Sequence, residues 1–457
     1  MKLDGRTLAD LSGGVLVADG PAGPVATDTR ALSPNAWFVA LKGLHHDGHA
    51  FLAAAHDAGC AGAVVSADPP EGWDRGLVRV PDTLRALQDV ATGVRRRFGG
   101  PVVGITGSVG KTTTRALAAL ALQVSGRVHA TAGNLNNHVG LPLTILAAPP
   151  DATVWVLEMG LSAPGEIRRL QEIAAPNVRL VTCVAAAHLE GLGSVEGVAR
   201  AKGELFDTAR PGDVVCVNTD DPRVVALPVP GRVRVLRYGT SRGCDVRLIR
   251  ATPTAEGGTS WVVEAAGRVL SGVLPAPGLH MARNLVAAVA LTVAVGASLD
   301  GVPEALARYE PVGDRMRLER GPGGLTFLND AYNANPESMA AALDTLATLP
   351  ASRRVALLGD MLELGPQETA FHRQVLDRAL AAGLSLVGLC GPRMVAAAAE
   401  LPPRLDLVVA PDPEGLARAV ADRLAPGDLV LVKASRQVRM ERALHVLATL
   451  LGSGPEA

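Results

Sequence analysis

The sequence predicts an α/β fold in three blocks with a mostly parallel sheet at its centre. Two observations carry this. Short apolar runs alternate with helical segments through most of the chain, the pattern of parallel strands covered by helices on both faces. A glycine loop also joins an apolar run to a helix at Val102–Thr114, read VVGITGSVGKTTT, as it does at the edge of such a sheet. The 457 residues, 48% of them hydrophobic, provide material for about three domains with buried cores.

The first block, residues 1–98, shows strand-like pieces at Trp37–Leu41 and Ala63–Ser66 and helical ones at Phe51–Ala58 and Thr83–Arg97. The second, 99–310, carries apolar runs at Val154–Met159, Arg179–Val184 and Val214–Asn218. Within it Asp245–Leu274 changes character, with β-branched runs around Gly257-Gly258 and Gly267, and reads as an antiparallel insert. The third, 311–457, alternates again through Val355–Leu358, Ser385–Leu389, Leu407–Val409 and Leu429–Val432.

The Val102–Thr114 stretch is the most informative. Val102, Val103 and Ile105 read as a buried strand and Gly107–Gly110 as a tight turn. From Thr112 a helix follows, its inward face marked by Leu117, Leu120, Ala121 and Val124. Unpaired N–H groups at that helix start favour a polyphosphate. Gly107 and Gly110 allow close backbone approach, with Ser108, Val109 and Thr113 completing the cradle. Lys111 is expected to reach the β- and γ-phosphates and Thr112 to sit on Mg²⁺. Ile105 stands where the usual six-residue spacing has a glycine, so the loop is a variant.

Further along, Glu158 ends the strand VWVLEM, which puts an oxygen ligand for Mg²⁺ at the sheet edge beside the loop. His188 follows another strand in AAAHLEGLGS, where a loop histidine with no ligand role is the plain alternative. Lys202, in ARAKGELF, would ordinarily be a solvated helix lysine, and an ammonium has no lone pair for a metal. A carbamate formed on it from CO₂ would present two oxygens.

A formal net charge of −1 offers nothing for nucleic acid or a membrane surface. The five scattered cysteines contain no C-x-x-C pair and read as buried free thiols in a reducing compartment. No uncharged apolar stretch is long enough to span a bilayer, and MKLDGRTLADL lacks a basic region followed by an apolar run. A cytoplasmic enzyme without membrane insertion is the expectation.

The chain resembles the Mur ligases. The resemblance rests, in order, on TGSVGKTTT, LEMGLSAPGEI, AHLEGLGSVEGVARAKGEL, GLHMARNLVAA, PVGDRM and VKASRQVRME, and it covers essentially the whole chain. GNLNNHVGLPLT (Gly133–Thr144), NDAYNANPESM (Asn329–Met339) and LLGDMLELG (Leu357–Gly365) resemble the branch that joins D-alanyl-D-alanine to UDP-N-acetylmuramoyl-tripeptide. The family implies three domains: an N-terminal one for the UDP-sugar, a central P-loop ATPase, and a C-terminal Rossmann-like one for the incoming dipeptide. It implies ATP, two Mg²⁺ sites, an N6-carboxylated Lys202 and an acyl-phosphate intermediate. Thr112 and Glu158 would hold one Mg²⁺, His188 and modified Lys202 the other. A monomer is expected.

Other roles follow from the same resemblance. Asn284 in MARN matches an asparagine at the adenine, Arg315 in GDRM an arginine near the nucleotide, and Asp330 an acid approaching the ribose and phosphates. Asn136, Asn137, Tyr332, Asn333 and Asn335 form an amide-rich set suited to peptide groups, with turn-forming asparagines as the alternative. Lys433, Ser435 and Arg436 follow the last strand and could receive the dipeptide carboxylate; Thr29, Arg30, Lys42, Gly43 and His49 match the UDP-binding region. Met281, His138 and Ala434 depart from the family pattern. Rival expectations are a sister ligase adding a different amino acid, a folylpolyglutamate synthase-like ligase, and an ATP-gated binding protein that does not ligate.

Overall fold

The computed structural model describes residues 1–43, 45–399 and 406–452, and these fold around three sheets. Leu44, inside the segment matched to UDP binding, lies outside the described residues.

The first sheet contains β1 (Val15–Ala18), β2 (Val25–Ala26), β3 (Trp37–Val39), β4 (Gly62–Val65) and β5 (Gly76–Arg79), in the order β1-β5-β4-β3-β2. Only β1 runs antiparallel to its neighbour. The helix Thr83–Arg97 starts at Asp82, whose side chain accepts the Arg85 N–H, and ends on three arginines that suit the negative end of its dipole. One of them, Arg95, is buried and donates to the Ala174 and Ala175 carbonyls of the second block at 2.7 and 2.8 Å. Phe98 stacks on Trp155 with centroids 4.1 Å apart. A continuous apolar cluster, including Leu87, Val94, Trp155 and Ile173, therefore joins the first and second blocks.

The second sheet contains β6 (Val102–Thr106), β7 (Val128–Ala130), β8 (Val154–Glu158), β9 (Val178–Val181), β10 (Val214–Asn218), β11 (Arg234–Gly239), β12 (Val246–Pro253), β13 (Thr259–Ala265) and β14 (Arg268–Leu274). Their order is β14-β13-β12-β11-β10-β9-β6-β8-β7. Every residue of β6, β8 and β9 is buried, because helices cover both faces of the parallel part. The Asp245–Leu274 segment is antiparallel, as its turns indicate, but it is not a separate insert. β12 pairs in parallel with β11, so β13 and β14 extend the same sheet outward.

The third sheet orders β15 (Arg317–Arg320), β16 (Thr326–Asn329), β17 (Arg353–Gly359), β18 (Leu386–Cys390), β19 (Leu407–Ala410) and β20 (Asp428–Lys433) as β15-β16-β20-β17-β18-β19. All neighbours are parallel except β15 with β16. The last strand in sequence is thus central in space, and it carries Lys433 to the same sheet edge as Asn329.

Two local expectations are corrected. The phosphate-loop helix begins at Lys111 and ends at Leu122, where a 3₁₀ turn, Gln123–Ser125, turns Val124 outward to 36% exposure. All five cysteines are free, but only Cys60, Cys216 and Cys390 are buried; Cys183 and Cys244 sit at partly open sheet edges. Among the described residues no helix is long and apolar enough to cross a membrane.

Candidate active site

The Gly107–Gly110 loop leaves β6 in the parallel part of the second sheet, between the ends of β8 and β9. Ligand sites in open parallel sheets form at this carboxyl edge. The loop is held from the β9 side: the Ser108 N–H donates to Cys183 O at 2.9 Å, the Ser108 hydroxyl to Ala185 O at 3.0 Å, and the Thr182 hydroxyl to Val109 O at 2.6 Å. Gly107 has φ +149° and Gly110 φ +82°. A Cβ on the first would lie 1.8 Å from Thr182 Oγ1 and on the second 2.4 Å from Asn284 Oδ1, so both positions require glycine. Lys111 folds back to donate to Gly107 O at 2.5 Å, and burial lowers its pKa, with Glu158 opposing. Thr113 is buried on the next position of the helix.

Glu158 is 2% exposed at the end of β8. Its Oε1 accepts from Thr112 Oγ1 at 3.2 Å and from Asn136 Nδ2 at 2.8 Å. Among the described residues its Oε2 has no hydrogen bond, and Arg115 Nε, 3.4 Å away, also lacks one. An underused buried carboxylate oxygen beside a threonine hydroxyl and the phosphate loop fits a hard divalent cation. Arg115 went unnoticed in the sequence. Its signal was there: it lies four residues after Lys111, a basic residue on an otherwise buried stretch of helix.

His188 has φ +55° and starts the short helix Leu189–Leu192 after β9. Its Nδ1 stands 2.5 Å from Glu363 Oε2, a contact that bridges the second and third blocks. That hydrogen bond holds the Glu363 carboxyl below its ordinary pKa. Lys202, on the helix Val195–Gly203, is 1% exposed, and among the described residues no hydrogen bond or ion pair reaches its Nζ. Burial and then the neighbouring Lys111 push its pKa well below the ordinary lysine value. A buried neutral amine is the species that takes up CO₂, so the position fits a carbamate. Among the described residues no group of three or more His, Cys, Asp or Glu could hold a metal ion. A cation here would need donors of other kinds as well, and the Thr112 hydroxyl beside Glu158 is one.

The remaining residues fall into four groups. Asn284 packs over Gly110 and accepts from Thr114 Oγ1 at 3.4 Å. On the third sheet, Asp330 pairs with buried Lys433 at 2.6 Å, and Lys433 also donates to Asn333 O at 2.8 Å. Arg315 lies 3.6 Å over the Tyr332 ring and Arg436 5.2 Å from it, while Ser435 donates to Ala334 O at 3.2 Å. These seven residues form one cluster, because β16 and β20 are neighbours. Two asparagines of the amide-rich set have structural work. Asn137 accepts from the Val139 and Gly140 N–H groups at the entry to a helix, and Asn335 caps the helix Pro336–Thr348 reciprocally with Ser338. The Asn-Pro-x-Ser order was a capping signal legible in the sequence. In the first block, Arg30 pairs with Asp28 beside Thr29, and Lys42 and Gly43 are exposed. His49 donates Nδ1–H to Asp47 at 2.6 Å and accepts the Ser66 N–H at Nε2 at 2.9 Å.

Residues 105–292 match the Mur ligase middle domain and residues 314–436 the Mur ligase, glutamate ligase domain. The chain is also 35% identical over 430 residues to the UDP-N-acetylmuramoyl-tripeptide--D-alanyl-D-alanine ligase of Bacillus subtilis, covering 93% of this chain and 92% of that one. It belongs to the Mur ligase family. Among solved structures it is similar to MurF from Acinetobacter baumannii, with a TM-score of 0.89, 25% identity, and coverage of 98% and 99% of the two chains. It is also similar to MurF ligase from Thermotoga maritima in complex with ADP, with a TM-score of 0.83, 30% identity, and coverage of 94% and 98%. Within this Mur ligase, Lys111, Glu158, His188, Lys202 and Asn284 lie in the matched middle domain. Arg315 through Arg436 lie in the matched C-terminal one.

Proposed function

We propose that the chain is an ATP-dependent ligase that joins D-alanyl-D-alanine to UDP-N-acetylmuramoyl-tripeptide in peptidoglycan precursor synthesis, acting in the cytoplasm as a monomer. One observation carries the reading furthest. Buried Lys202, whose Nζ meets no hydrogen-bond or ion-pair partner among the described residues, stands near Lys111 of the phosphate loop, where Thr112 bonds Glu158. Simple nucleotide hydrolysis has no use for such an amine, whereas a carbamate on it supplies the missing anionic ligand. The curated relative and the MurF structures, aligned along nearly the whole chain, support the same substrates.

On this reading residues 1–98 hold the UDP-sugar through Thr29, Arg30, Lys42, Gly43 and His49. Residues 99–310 hold ATP, and residues 311–457 deliver the dipeptide through Lys433, Ser435 and Arg436. Asn136, Asn137, Tyr332, Asn333 and Asn335 line the peptide path. Asn284, Arg315 and Asp330 hold the nucleotide together with the Gly107–Thr113 loop.

The tripeptide carboxylate is a poor electrophile, so one of its oxygens attacks the γ-phosphorus and ADP leaves. The dipeptide amine then attacks the acyl carbon, loses a proton, and phosphate departs with the carboxylate oxygen. Phosphoryl transfer is mainly positioning and charge neutralisation. Lys111 leaves the Gly107 carbonyl to meet the β- and γ-phosphates, and the loop N–H groups orient them. Thr112 with Glu158, and His188 with carboxylated Lys202, would hold Mg²⁺, whose charge would damp the repulsion between polyphosphate and carboxylate. Docking of the third block excludes water from the reactive acyl group.

Steady release of ADP should require both UDP-N-acetylmuramoyl-tripeptide and D-alanyl-D-alanine. Equal turnover with ATP alone would favour an ATP-gated binding protein. Turnover with a single free amino acid in place of the dipeptide would favour a sister ligase.

A further inference from the structure

Glu363 belongs to the third block yet reaches the phosphoryl-transfer site of the second. It follows β17 in the loop Asp360–Leu364 and has φ +63°, left-handed like His188 opposite it. Two contacts join the pair of loops. The Glu363 carboxylate takes the His188 Nδ1 at 2.5 Å, and the Glu363 carbonyl accepts the Leu189 N–H at 2.8 Å and the Glu190 N–H at 3.4 Å. Gly365 comes so near that an added Cβ would touch Leu189 at 3.9 Å.

The loop is braced from its own side. The Leu362 N–H donates to Ser435 Oγ at 2.9 Å, the Ser435 N–H donates to Asp360 O at 3.0 Å, and the Met361 N–H donates to His372 Nε2 at 2.9 Å. A short covalent and hydrogen-bonded path thus runs from Ser435, at the proposed dipeptide site, through Leu362 and Glu363 to His188.

We propose that Glu363 is a positioning residue that orients His188, so that the phosphoryl-transfer site is complete only when the third block is docked. This rests on the ligase reading above. An ionised carboxylate can only accept, so in the neutral imidazole this contact places the hydrogen on Nδ1 and leaves Nε2 the lone pair that a cation would need. Removing Glu363 frees the ring to rotate and to take the other tautomer. The dipeptide-binding block then no longer signals its arrival to the ATP side. The cluster at Ser435, Lys433 and Asn333 would still bind dipeptide.

The test compares wild type, Glu363→Ala and Glu363→Gln. ¹⁵N-histidine-labelled protein, with the His188 signals assigned by their loss in His188→Gln, reports the tautomer directly. Wild type should show Nδ1 protonated and Nε2 bare, and Glu363→Ala should lose that signature while Glu363→Gln, which keeps an acceptor oxygen, retains most of it. In the ligation assay Glu363→Ala should lower kcat by about 10- to 100-fold, the range seen when a carboxylate behind a ligating histidine is removed. KM for ATP should change little, and Glu363→Gln should recover part of the rate. An unchanged His188 signature in Glu363→Ala, or a fall in kcat without a change in that signature, overturns the proposal. If wild type itself fails to ligate, the function reading fails, while the tautomer measurement still decides the role of Glu363.

Discussion

Arg115 Nε lies 3.4 Å from Glu158 Oε2, with both side chains buried and neither atom hydrogen-bonded among the described residues. The Arg115 guanidinium is thus the cation set against that buried carboxylate oxygen. Burial in turn lowers the pKa of Arg115, with Glu158 opposing. Arg115→Met keeps the aliphatic stem but strands the carboxylate, which should cost on the order of 3 kcal/mol. The thermal midpoint of the unliganded protein should fall by several degrees, and Mg²⁺ with an ATP analogue should restore more of it than in wild type. An unchanged midpoint would show that Glu158 does not depend on Arg115.

Lys111→Ala should abolish ligation, because the phosphates lose the cation that the loop supplies. Thr112→Ala should reduce the rate and shift Mg²⁺ half-saturation upward together. Most wild-type turnover remaining in Lys111→Ala at saturating ATP would refute the loop assignment.

Lys202→Ala should be nearly inactive and partly rescued by a short-chain carboxylic acid that fits the vacated space. Wild-type protein kept at neutral pH should carry an added mass of one CO₂ that disappears on acidification. Burial and Lys111 both disfavour the charged form of this amine, which is the direction that carbamate formation needs. Full activity of Lys202→Ala, or an unmodified lysine in bicarbonate-equilibrated active enzyme, would remove the carbamate from the mechanism.

His280, half-buried at the start of the helix Leu279–Val295, has its pKa pushed down to about 4 from 6.5, mainly by burial. Asp330 and Asp344 oppose this, while Lys433 and Arg283 reinforce it. Between those values the unfolded chain holds a proton that the native chain does not. The stability contribution is therefore whole above pH 6.5 and is lost as pH falls toward 4, up to about 3 kcal/mol. His280→Gln should show a shallower drop in thermal midpoint between pH 7 and pH 4.5. Parallel curves for the two proteins would contradict the assignment.

The phosphate loop and Glu158 were legible in the sequence because their meaning is local: a strand, a glycine turn and a helix in a fixed order. The three alternating blocks were legible for the same reason, through periodicity. Contacts between distant segments were not. Asn136, read as part of a peptide-binding set, meets Glu158 at a separation that the pairing of β7 with β8 closes. Lys433 and Asp330, assigned to different ligands, form one ion pair because β20 lies beside β16. Glu363 faces His188 across 175 positions, and no pattern on either segment encodes the docking of two blocks. Val124 was misread because a helical period says nothing about where the helix stops.

The transfer of a carboxylate oxygen to phosphate tests the central claim most directly. UDP-N-acetylmuramoyl-tripeptide carrying ¹⁸O in both oxygens of its terminal carboxylate would be incubated with enzyme, ATP, Mg²⁺ and D-alanyl-D-alanine, and the inorganic phosphate analysed by mass spectrometry. An acyl-phosphate ligase must return one ¹⁸O atom in each phosphate released, in step with the ligated product. Unlabelled phosphate, released whether or not the dipeptide is present, would contradict the account.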